Sequence, residues 1–83
     1  MNRLENAFKG NKTLIAFVTA GDPDLDVTRA ICPVLEESGA DVIELGIPFS
    51  DPQADGPAIQ DAGQRALRAG TTPASVLELA ESL

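Results

Sequence analysis

The stretch from Ala40 to Pro57 constrains the fold more than any other. Apolar Val42, Ile43, Leu45 and Ile47 surround a single acid, Glu44. A run rich in β-branched residues and ended by Gly and Pro reads as a strand over Asp41–Gly46, covered on both faces. From Pro48 to Pro57, three prolines and two aspartates fall within ten residues, which excludes ladder or helix hydrogen bonding and makes a loop. One carboxylate therefore stands among hydrophobes near a strand end, and two more, Asp51 and Asp55, stand on the loop after it. An ionised carboxylate is costly to bury without a partner, so Glu44 needs either an opposite charge or a chemical role.

The rest of the chain alternates in kind. Residues 1–10 carry Leu4, Ala7 and Phe8 on one side and end at Gly10, the pattern of a short amphipathic helix packed against the body of the fold. Thr13–Thr19 is an apolar run read as the first strand, with Leu14, Ala16 and Val18 on one face and Ile15, Phe17 and Thr19 on the other. Asp24 or Asp26 can cap a helix over Leu25–Ser38, whose apolar stripe is Val27, Ile31, Val34 and Leu35 and whose stop is Gly39. Pro33 interrupts that helix and predicts a kink near Arg29–Pro33 or an earlier end. Pro57 and Pro73 suit the first position of two further helices, with Thr72 as a cap and Gly70 as a stop between them. Ile59, Ala62, Ala66 and Leu67 form a weak apolar face on the first. Val76, Leu77, Ala80 and Leu83 form that of the second.

Strand, helix and strand in succession make a βαβ unit with parallel strands. Two such strands do not complete a sheet, because buried strands need neighbours on both edges and helices outside. The expectation is α/β, the N-terminal portion of a (β/α)8 barrel over residues 1–83, in which catalytic groups sit at strand C-termini. Glu44 shares a face with Val42 and Gly46. If Ile43 and Leu45 meet the outer helices, Glu44 points into the barrel mouth, where desolvation favours a protonated acid able to donate. A buried ion pair with an Arg or Lys is the competing reading. Asp51 and Asp55 are also ordinary turn residues, and Asp55 is placed to cap the helix at Pro57. Phe17 faces the mouth and suits either core packing or a flat apolar ligand.

Charge and composition exclude several roles. Against 13 Asp and Glu stand only 6 Lys and Arg, a net charge of −7, which opposes binding to nucleic acid or an anionic membrane. No apolar run approaches the ~20 residues of a transmembrane helix, and the N-terminus lacks the apolar core of a secretory signal. The single Cys32 suits a reducing cytoplasm. With no His in the chain, His-based triads are excluded here.

The segments Phe17-Val18-Thr19-Ala20-Gly21-Asp22-Pro23, Gly39-Ala40-Asp41, Ile43-Glu44-Leu45-Gly46-Ile47-Pro48-Phe49-Ser50-Asp51-Pro52 and Ala54-Asp55-Gly56-Pro57-Ala58-Ile59-Gln60 together resemble the tryptophan synthase alpha chain family. The resemblance covers essentially the whole chain. It implies a (β/α)8 barrel that cleaves indole-3-glycerol phosphate by a retro-aldol reaction to indole and glyceraldehyde 3-phosphate. It further implies that Glu44 is the acid/base at indole C3 and that Asp55 accepts the indole N–H. Phe17 would line the indole pocket, and Pro48 and Asp51 would face a beta chain in an α2β2 heterotetramer. Pyridoxal phosphate belongs to that beta chain, and the alpha chain carries no cofactor or metal. Gln53 departs from the family's apolar residue at its position. The later phosphate-binding loops are not among these residues, so the expectation is that the chain alone is inactive. Two alternatives stay open: a non-catalytic piece whose strand edges drive self-association, and a metal-dependent barrel enzyme using Glu44, Asp51 and Asp55.

Overall fold

The computed structural model describes residues 3–10, 12–50 and 55–83. Its elements run α1 (Arg3–Ala7), β1 (Ile15–Thr19), α2 (Leu25–Glu37), β2 (Val42–Gly46), α3 (Pro57–Arg68) and α4 (Pro73–Ser82). The strands pair in parallel, Ile15 opposite Val42 through Thr19 opposite Gly46, with α2 as the crossover. Helix α2 packs on both strands and on α4, while α3 packs on β1.

Local chemistry explains where each element starts and stops. The Asp24 carboxylate accepts the Val27 N–H at 2.9 Å and opens α2. At its far end Gly39 takes φ +112°, and the Ala40 N–H reaches back to the Leu35 carbonyl at 2.9 Å. Thr72 and Ser75 exchange backbone and side-chain bonds in a capping box that starts α4, with Pro73 in its first turn. Strand β1 is shorter than its apolar run predicts. The Leu14 N–H donates to the Asp41 carboxylate at 2.8 Å, and the Leu14 carbonyl accepts from Asp41 and Val42. A side chain thus replaces the ladder before Ile15. Helix α1 is also shorter than predicted and buries no residue completely, although Thr13 Oγ1 donates to the Ala7 carbonyl at 3.1 Å.

One predicted helix face is overturned and another holds in part. Along α2 it is Thr28 and Cys32 that are buried, while Val27, Ile31 and Val34 are exposed. The cause is the Thr28 hydroxyl, which accepts the Gly21 N–H at 2.9 Å and donates to the Asp24 carbonyl at 3.2 Å. Those bonds turn the Thr28–Cys32 side of the helix toward the sheet. In α4 Val76 is buried as expected, but its buried partner one turn on is Leu79, whereas Leu77 is exposed and Ala80 borders a cleft. Pro33 neither ends α2 nor splits it, since the helix runs unbroken to Glu37. The Asp24 cap, buried Cys32 and the Gly39 stop hold it on both sides of the proline.

The two-faced burial expected of the strands is corrected as well. One side of the sheet is covered, with Ile43 and Leu45 lining a cleft against Cys32, Pro33, Ala80 and Leu83. On the other side Ile15 and Phe17 are exposed, because nothing among the described residues covers that face. The small core lies instead where the end of β1 meets three helices: Ala20, Cys32, Ala62, Ala66, Val76 and Leu79, with Thr28 and Thr71 buried among them. Small Ala62 and Ala66 let α3 approach closely. Gly21, at φ +91°, presses on Thr71, whose Cβ would lie 2.8 Å from any Cβ placed there.

Candidate active site

Two of the candidate residues, Glu44 and Phe17, lie on the parallel sheet, and Asp55 lies just before α3. Glu44 stands at the centre of β2 and pairs in register with Phe17 on β1, so both side chains leave the sheet on one face. Ile43 and Leu45 occupy the opposite, helix-covered face. This is the arrangement in which Glu44 points away from the helices. The Phe17 ring lies over Gly46, and a Cβ at Gly46 would fall within 2.9 Å of Phe17 Cε2. The missing side chain at Gly46 is therefore what leaves room for the tip of the ring on the face that carries Glu44.

Glu44 is exposed rather than dry, which corrects the expectation of a desolvated acid. Its face lacks a covering layer among the described residues, and desolvation needs one. No hydrogen bond or ion pair reaches its carboxylate among the described residues, and the one ion pair found there joins Arg65 to Asp22. The guanidinium partner of the competing reading is thus not seen.

Asp55 is exposed at the start of α3. The cap of that helix is Gly56, with no side-chain bond, so the predicted capping role of the Asp55 carboxylate is not realised. Among the described residues only its backbone is engaged, the carbonyl accepting from Gln60 Nε2 at 2.7 Å. A carboxylate left out of its helix cap is available for other bonding. Pro48 is buried at the start of the loop after β2. The exposed apolar group beside it is Phe49, at 64%. Asp51 and Gln53 lie outside the described residues. No three His, Cys, Asp or Glu side chains come together as a metal site among the described residues.

Sequence reasoning missed one charged pair. Arg65 Nε and Nη2 grip Asp22 Oδ1 and Oδ2 at 2.8 and 3.0 Å. The two-bond grip joins the turn after β1 to the last turn of α3 and holds the Asp22 carboxyl below its usual range, first through the Arg65 hydrogen bonds. Its partners lie 43 residues apart, and no local pattern announces it.

Fold and site together define a barrel-type α/β chain with one acid on its second parallel strand and another just before the helix that follows. A family model described as tryptophan synthase alpha chain matches residues 4–83. The tryptophan synthase alpha chain of Geobacter sulfurreducens is 52% identical across 95% of this chain and 32% of its own length. That of Caldanaerobacter subterraneus is 54% identical over the same shares of both chains, 95% and 32%. The crystal structure of the alpha subunit from Legionella pneumophila superposes with a TM-score of 0.87 at 46% identity, covering 95% of this chain and 32% of that one. The chain belongs to the tryptophan synthase alpha chain family and has the fold of a portion of its (β/α)8 barrel. It spans about a third of the length of the curated relatives it matches. No helix among the described residues is long and apolar enough to cross a membrane.

Proposed function

We propose that these residues are the N-terminal segment of a single-domain tryptophan synthase alpha subunit and supply its acid/base pair. The reaction is cleavage of the bond between indole C3 and the glycerol chain of indole-3-glycerol phosphate, a lyase step in tryptophan biosynthesis. Glu44 delivers a proton to indole C3 and serves the glycerol hydroxyl, whose proton leaves as the carbonyl of glyceraldehyde 3-phosphate forms. The electrons of the broken bond stay with the indole ring. Asp55 accepts the indole N–H and stabilises positive charge as it grows on the ring. Phe17, on the same face as Glu44, lines the indole pocket.

The observation that carries this reading is the common face of Glu44 and Phe17 with no partner on the Glu44 carboxylate among the described residues. Membership of the family supports it. The alpha subunit needs no cofactor of its own, and pyridoxal phosphate resides in a beta chain. One structure of similar fold is described as an α2β2 tryptophan synthase complex from Pyrococcus furiosus, with a TM-score of 0.75, 46% identity, and coverage of 81% of this chain and 28% of that one. By that likeness the loop after β2, with Asp51 and exposed Phe49, faces the beta chain, and buried Pro48 shapes the loop. The cytoplasm is the compartment. Indole release from indole-3-glycerol phosphate tests the reading: the whole subunit should show it, Glu44→Gln should abolish it, and the 83 residues alone should release almost none. Undiminished release by the Glu44→Gln subunit would overturn it.

A further inference from the structure

We infer that Asp22 and Arg65 are a positioning pair for Asp55, an inference that rests on the lyase reading above. Helix α3 follows the loop after β2 and packs on β1. Its start follows Asp55 and the loop from β2, and its last turn is tied to the turn after β1 by the two bonds of Arg65 to Asp22. A helix is a rigid rod, so fixing one end fixes the direction of the other. No side chain caps the N-terminus of α3. Its face toward β1 is built of alanines, Ala62 and Ala66, which pack closely but lock rotation weakly. The fork of Arg65 supplies the orientation that those small contacts do not, since a guanidinium–carboxylate pair fixes angle as well as distance. Asp22 is itself only 18% exposed, held where Gly21 wedges against Thr71 and bonds Thr28, so the fork is anchored on a stiff turn. Neither residue touches the reacting atoms; each acts through the helix.

The test uses the whole subunit and reads both ends of α3. In Arg65→Met, amide hydrogen exchange should speed up at Gln60, whose N–H bonds the Gly56 carbonyl beside Asp55, and stay unchanged at Thr28 in α2. A purely local role for Arg65 would alter only the C-terminal turn, at Ala69. The kcat for indole release should fall about tenfold with KM changed far less, as misplacement of a group that acts in the transition state requires. Arg65→Lys should recover part of both readouts, and the exchanged pair Asp22→Arg with Arg65→Asp should recover part of the kcat. Unchanged exchange at Gln60, or a loss seen in KM alone, would overturn the inference. If the unsubstituted subunit releases no indole, the lyase reading fails, and the exchange at Gln60 still decides whether the pair orients α3.

Discussion

The ring of Phe17 rests on Gly46, its neighbour across the sheet two residues beyond Glu44 on the same face. A methyl group at Gly46 meets the far end of that ring and not a backbone. Phe17 is 51% exposed, so the ring can swing away. Gly46→Ala should therefore cost little stability, under about 1 kcal/mol, while lifting the ring off the strand. Loss of ring-current shifts on residues flanking position 46, with an almost unchanged urea midpoint, is the expected result. In the whole subunit the same change should raise KM for indole-3-glycerol phosphate.

Gly21 should behave in the opposite way. It combines φ +91° with a Thr71 side chain pressed against its α-carbon. Gly21→Ala adds backbone strain of about 1–2 kcal/mol to an overlap costing about 1–3 kcal/mol in a packed site. Gly39→Ala, at φ +112° with open space around it, should show the strain alone. Equilibrium denaturation of the two variants separates the contributions.

The acid limb of stability should carry the signature of Asp22. The carboxyl titrates below its ordinary value in the folded chain, so the unfolded chain binds the proton first as pH falls. The stabilisation is then complete above the unfolded carboxylate pKa of about 3.9 and is lost as pH drops through the lower folded value. Asp22→Asn should flatten the stability–pH curve below about pH 4, and added salt should weaken the effect because Arg65 is half exposed. Thermal unfolding across that range at low and high salt measures both.

Asp55→Asn should leave stability within about 0.5 kcal/mol, since the residue engages its neighbours through its backbone. In the whole subunit it should lower kcat by about 10²–10³-fold, the usual loss when a charge aimed at a developing ion is removed. Circular dichroism and indole release together check the pair of outcomes.

Pro33→Ala should stabilise the chain. The exposed proline leaves the Arg29 carbonyl without its helical donor, a defect of about 3 kcal/mol in a regular helix. Restoring chain entropy to the unfolded state takes back up to about 1 kcal/mol. A net gain near 2 kcal/mol in urea unfolding is expected.

Much of this was legible in the order of residues. The helix starts at Asp24, Pro57 and Thr72 and the stops at Gly39 and Gly70 are set by groups within a few positions of the bond they make. The opposed faces of β2 follow from the period of two. The features that escaped were bonds between distant positions. Asp41 shortens β1 from across the sheet, Thr28 rotates α2 away from its most apolar stripe, and Arg65 reaches Asp22 from another helix. The Glu44 environment escaped for a different reason: alternation fixes which way a side chain leaves a strand but not what lies above it. For Asp51 the loop reading lies outside the described residues.

The buried contact between Gly21 and Thr71 carries a consequence for cutting this segment back from residue 83. A version ending at Gly70 would retain both strands, the crossover helix and the acids Glu44, Asp51 and Asp55. It would nevertheless lack the wedge that closes the first turn, along with buried Val76 and Leu79 of the final helix. Among these residues, position 71 and the helix beyond it are thus needed to hold the turn after β1, although neither carries a group assigned to the chemistry.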